Sequence, residues 1–88
     1  MNDNFIQNLG DNLEIKDKRL LRLGVLYYFI DRDNDIFKGN FSSIQYLHLN
    51  NTEEVRYIFD NVEICVDNKF KRYTDKLSTP FIIKIYYL

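Results

Sequence analysis

The chain has 88 residues, of which 45% are hydrophobic and 28% charged, with a net charge of -1 at pH 7. This is the composition of one small globular domain, and the near-zero charge excludes a global attraction to nucleic acid or anionic membrane. One cysteine, Cys65, and one histidine, His48, exclude an internal disulfide and a zinc module built from this chain alone.

A lone cysteine suits an intracellular, cytoplasmic setting. The opening MNDNFIQNLG lacks the basic start and apolar stretch of a secretory signal. The longest apolar stretch, LLRLGVLYYFI (20–30), is interrupted by Arg22 and falls short of the roughly 20 residues that span a bilayer, so no membrane contact is expected. Alanine is absent while Asn, Asp, Ile, Lys, Phe and Tyr are common. An AT-rich coding sequence from a phage, plasmid or virus would give this bias, a hypothesis that the GC content of the gene tests.

Residues 1–15 are polar with scattered apolar side chains and a break at Gly10, which reads as an N-terminal arm or accessory element. The domain proper is expected over 16–88. Residues 16–31, KDKRLLRLGVLYYFID, are apolar on nearly every side. Their length and charged start favour a buried helix, although the aromatic tail suits a strand and Gly24 costs a helix about 1 kcal/mol. The alternative architecture is therefore a small α+β sandwich with 20–30 as its central strand.

Asp31, Asp33 and Asp35 alternate in FIDRDNDIF, as the first three ligands of a calcium loop do. The template then requires glycine at its sixth place and a bidentate Glu at its twelfth, where this chain has Ile36 and Ser42. The stretch reads instead as a solvated turn. IFKGNF (36–41) suits a short strand.

Ser42 with Gln45, and Asn51 with Glu54, have capping-box spacing, so two helices are expected, a short one and a longer one. Val55, Ile58, Phe59, Val62, Cys65 and Val66 recur at intervals of three and four, as one buried helical face would, with Asn68 as its stop. In the last segment Phe81, Ile83, Ile85 and Tyr87 alternate with Ile82, Lys84, Tyr86 and Leu88, which predicts a strand. KFKRYT before it would be the partner strand of a terminal hairpin, with DKLSTP as the turn. Tyr86, Tyr87 and Leu88 read as core or as a dimer contact.

SIQYLHLNNTEEVRYIFDNV and KFKRYTDKLSTPFIIKIYYL together resemble the winged helix-turn-helix family over residues 16–88. Leu47-His48-Leu49 and the Asn50-Asn51 cap fall where the family joins a short helix to its recognition helix. The chain departs from the pattern at His48, where glycine is usual, and in a turn about one residue longer. The resemblance implies a mainly helical α+β fold with three helices and a C-terminal β-hairpin wing. It also implies DNA as partner, with Lys69, Lys71, Arg72 and Lys76 of the wing on phosphates and Arg56 and Tyr57 at the groove. It fits a transcription regulator that forms a homodimer.

Glu53, Glu54, Asp60 and Glu63 would lie on the exposed face of the second helix, where phosphates repel them. That face suits a basic protein partner instead, as in an inhibitor of a host enzyme or defence system, or an immunity protein. No phosphate loop, nucleophile elbow or paired ligand spacing is present, so neither an enzyme nor a cofactor is expected. Cys65 and His48 read as a small core residue and a turn residue.

Overall fold

The structure is a computed structural model that describes residues 14–80, 82 and 84–87. After one 3-10 turn at Lys18–Leu20 come five strands: β1 (Leu26–Ile30), β2 (Ile36–Leu49), β3 (Thr52–Val66), β4 (Lys69–Thr79) and β5 (Lys84–Tyr87). All pair antiparallel in one sheet of order β4-β3-β2-β1-β5. β2, β3 and β4 each lie beside the preceding strand, and β5 crosses to the far edge, beside β1. Ile15 donates to the Ile85 carbonyl at 2.8 Å and Glu14 bridges Tyr86, so the N-terminal segment covers part of the β5 edge.

Asparagine and aspartate make the turns. Every non-glycine residue with positive φ among the described residues is one of them: Asn34, Asn50, Asn51, Asn61, Asp67 and Asn68. Asn50 and Asn51 (φ 49° and 65°) join Leu49 to its cross-strand partner Thr52, and Asp67 and Asn68 (φ 53° and 65°) join Val66 to Lys69. Positive φ at both central residues is the requirement of a two-residue type I′ hairpin, and short polar side chains tolerate it. In the β1–β2 connection the Asp31 carboxylate accepts from the Asp33 and Asp35 amides at 3.0 and 3.1 Å. Asp31 thus spends one oxygen on the turn itself, as an Asx turn does.

Three bulges bend the long strands, one of them in the β3–β4 ladder between Val62 and Glu63. The β2–β3 register shifts between Lys38 and Asn40 and again between Phe41 and Ser43. Phe59 and Val62, three apart, enter the same core, and Phe41 and Ile44 do likewise. A regular strand sends such a pair to opposite faces. The extra residue at each bulge restores them to one side and adds twist. Gly39 sits at the first bulge, where a Cβ would lie 3.1 Å from Val62 Cγ2 and 3.2 Å from Phe59 Cβ.

The sheet is curled. Five flat strands about 4.8 Å apart would set β4 and β5 about 19 Å from each other, while the five steps from Thr79 to Lys84 span at most about 17 Å. Tyr28 of β1 and Phe70 of β4 accordingly meet with ring centroids 5.6 Å apart although two strands separate them. The main core holds Tyr27, Phe29, Phe37, Phe41, Phe59, Val62 and Ile85, closed by Ile15 and Ile82. Phe29 stacks on Phe59 at 4.1 Å and on Phe37 at 5.3 Å. The buried Tyr27 hydroxyl accepts from the Arg22 amide at 2.9 Å. A second cluster, Ile30, Ile36, Cys65 and Tyr86, occupies the other face.

This architecture overturns the winged-helix reading and its mainly helical fold class, and with them the helix-turn-helix assignment. The expected long helix at 16–31 is a 3-10 turn, a loop and β1, and the two capped helices are β2 and β3. The α+β alternative fails equally, although it placed a strand within 20–30. The stripe from Val55 to Val66 mimics a helix because it mixes two faces: the bulge at Asn61 sets Phe59 and Val62, three apart, in one core, while Cys65 belongs to the other cluster. Ile58 and Cys65 are buried as expected, whereas Val66 is exposed. The expected terminal hairpin is absent too, since β4 pairs with β3 and β5 with β1. Tyr86 is core and Tyr87 is exposed, while Leu88, Phe81, Ile83 and most of the expected 1–15 arm lie outside the described residues.

Candidate functional site

Where β1 and β4 stop, β2 and β3 continue. β1 reaches Leu26, opposite Asn40, and two further bonds carry the contact only to Phe41: Gly24 to the Phe41 carbonyl at 2.7 Å, and Phe41 to the Val25 carbonyl at 2.9 Å. β4 ends at Thr79, opposite Tyr57. Beyond these points Gln45–Arg56 forms a two-stranded arm that, among the described residues, pairs only with itself, from Gln45↔Arg56 to Leu49↔Thr52. The molecule is elongated, 41 × 26 × 24 Å, as a projecting arm requires.

The arm carries the core face outward. Ile44 and Tyr57 are cross-strand partners that pack against the main core. Two residues further along each strand, on the same face, stand Tyr46 and Val55. Tyr46 is 77% exposed. A cleft of about 240 Å³ beside it is lined by Tyr46, Leu47, His48 and Glu53. His48 Nδ1 lies 3.8 Å from Glu53 Oε1. On the opposite face Arg56 Nε donates to Glu54 Oε2 at 3.0 Å. Burial, and secondarily the neighbouring Tyr46, push the Tyr57 hydroxyl above its ordinary pKa. The Lys18 ammonium sits 5.9 Å from the Tyr57 ring centroid.

The sequence-predicted site residues are therefore scattered. Lys69, Lys71, Arg72 and Lys76 do gather, exposed, on the edge strand β4. Arg56 and Tyr57 belong to the arm and its root, on opposite faces. The acidic set divides: Glu53 and Glu54 lie on the arm, while Asp60 and Glu63 lie in the sheet directly opposite Lys76 and Arg72. Glu63 also pairs with Lys38 at 3.3 Å, and Arg72 is hydrogen-bonded to Asp75. Half of the basic set thus faces carboxylates. A polar cleft of about 290 Å³ at this place is lined by Asn61, Val62, Glu63, Arg72, Thr74 and Asp75, and both of its carboxylates are already ion-paired.

No group of metal-ligating side chains is found among the described residues, and no helix there is long and apolar enough to cross a membrane. No family model, curated protein or solved structure matches this chain. Sequence reasoning missed Tyr46 and Val55 as a shared surface. The available signal was Asn-Asn between two runs rich in β-branched and aromatic residues, which is a hairpin pattern as well as a capping one.

Proposed function

We propose that this chain is a non-enzymatic protein-binding module that docks through the arm. Tyr46 and Val55 supply the apolar contact with Glu53 beside them, and Glu54 lies on the opposite face of the same arm. The observation that carries this reading is the exposure of Tyr46 on a face that is elsewhere core, on an arm whose strands have no neighbour among the described residues. Such an arm offers both apolar surface and free backbone groups to an incoming strand. Two carboxylates against one guanidinium select a partner surface with an excess of cations.

The same charges count against nucleic acid. Of the four β4 cations only Lys69 and Lys71 lack a carboxylate opposite them in the ladder, which leaves few phosphate contacts. The paired carboxylates of the polar cleft likewise favour a non-catalytic role. A buried, unpaired Cys65 suits an intracellular setting, and a small inhibitor or immunity protein of a mobile element is a role such a module fits.

The test immobilises the protein and its Tyr46→Lys variant, and offers each host lysate and, separately, purified wild-type protein. Aromatic anchors of this kind contribute about 2 kcal/mol or more, so Tyr46→Lys should weaken capture about 30-fold or beyond. Equal capture by both proteins refutes the arm as the docking surface. DNA binding that Lys69→Glu/Lys71→Glu abolishes would favour the basic strand instead.

A further inference from the structure

We infer that the partner strand is β4 of a second copy of this chain, added along the β3 side of the arm; this rests on the arm being the docking surface. In the sheet itself, acidic residues of β3 stand opposite basic residues of β4: Asp60 faces Lys76 and Glu63 faces Arg72. The remaining carboxylates of β3 are Glu53 and Glu54. They have no β4 residue opposite them because β4 ends at Thr79, opposite Tyr57. The arm thus repeats the acidic half of a ladder whose basic half is missing.

β4 can supply that half from another molecule. It is an edge strand, and no described strand lies beyond it. Its cations Lys69 and Lys71 stand opposite Val66 and Ile64, so no carboxylate faces them in their own ladder, and Tyr73 beside them is 52% exposed. Tyr73 touches Phe37 at a centroid distance of 5.3 Å, so apolar surface is available beside the cations to receive Tyr46.

Charge also decides the geometry. β4 carries four cations against Asp75 alone, and Glu53 and Glu54 outnumber Arg56 on the β3 side of the arm, so two β4 edges or two arms would set a like excess of charge against itself. Both symmetric pairings are repelled. Arm to edge is the attractive combination, and it joins two different surfaces, so assembly runs head to tail. The backbone bonds are those of strand addition, and the charges set partner and register.

Sedimentation velocity over a concentration series tests this with the purified chain at low and moderate salt. The wild type should associate above its 10.7 kDa monomer mass, and added salt should weaken the association. Glu53→Lys/Glu54→Lys and Lys69→Glu/Lys71→Glu should each remain monomeric, because both then oppose like charges. An equimolar mixture of the two variants should associate again, since each arm then meets an edge of opposite sign. A wild type that stays monomeric throughout, or variants that associate as the wild type does, would overturn self-pairing. In that case, loss of lysate capture by Tyr46→Lys would still uphold the arm as a docking surface for a different protein.

Discussion

Gly39 is the position where packing arithmetic is most direct. It lies on β2 where the β3 bulge presses closest, and its φ is not positive, so its backbone admits any L residue. A Cβ there would stand 3.1 Å from Val62 Cγ2, 3.2 Å from Phe59 Cβ and 3.4 Å from the Asp60 carbonyl oxygen. Both side chains are fully buried and cannot swing away. Alanine adds this one atom, and the cost is partly offset by about 0.5–1 kcal/mol from the smaller unfolded-state entropy. Valine adds two further methyls to a closed site, and overpacking of this kind costs about 1–3 kcal/mol. Gly39→Val should therefore lose about 1–2 kcal/mol, read in urea as a midpoint about 1 M lower at unchanged slope. A second measurement isolates the contact. Val62→Ala removes the closest atom and leaves a cavity, which the methyl of Gly39→Ala would fill. The double variant should be about 1 kcal/mol more stable than the two single effects sum to. A Gly39→Val midpoint equal to wild type, or a coupling of zero, would refute the crossing of β2 over the bulge.

Asn68→Gly should stabilise the β3–β4 hairpin by about 0.5–1 kcal/mol because its φ of 65° suits glycine, whereas Asn68→Val should cost about 1–3 kcal/mol; thermal midpoints check both. Phe59→Ala removes the ring stacked on Phe29 and edge-on to Phe41, and its loss of about 3–5 kcal/mol should abolish cooperative unfolding or lower its midpoint sharply. Burial, then the charges of Asp31 and Asp33, push the Asp35 carboxyl above its usual range. A raised folded-state pKa means that the native chain holds this proton more tightly. The group's contribution is then greatest in acid and falls as pH rises from the ordinary carboxyl value through the folded one. Asp35→Asn should accordingly unfold at a higher temperature than wild type at pH 7, with the gap narrowing toward about pH 4.

Much of the core was legible in the sequence and much of the architecture was not. Ile58, Phe59, Val62 and Cys65 announce burial by type, and they are buried. Their spacing misleads, because the bulge at Asn61 puts Phe59 and Val62, three apart, on one face, and both faces of the strand are buried, so Cys65 on the other side completes intervals that a helix also produces. Asn50-Asn51 was equally ambiguous. Asparagine caps helices through its side chain and occupies left-handed turns through its backbone, and only the strand propensity of both flanks favours the second. The end of the chain reads as strand from its alternation, yet nothing in Lys84–Tyr87 reveals that its neighbour is β1 rather than β4. That choice is made by curvature, which arises from the bulges. The basic residues of β4 were visible as a cluster, but that Lys76 and Arg72 stand opposite Asp60 and Glu63 depends on register. Tyr46 passed unnoticed for the same reason: a tyrosine between polar residues becomes a surface only when β1 and β4 end short of it.

The arm itself is the feature on which docking and self-pairing both depend. Backbone NMR shifts and amide exchange over residues 42–66 test it directly. Strand-like shifts should run through 52–66, with cross-strand Hα contacts in the arm and fast exchange at those amides of Gln45–Arg56 that point away from the hairpin. Helical shifts over 51–66, or amides of the arm protected on both edges in the dilute monomer, would contradict the account.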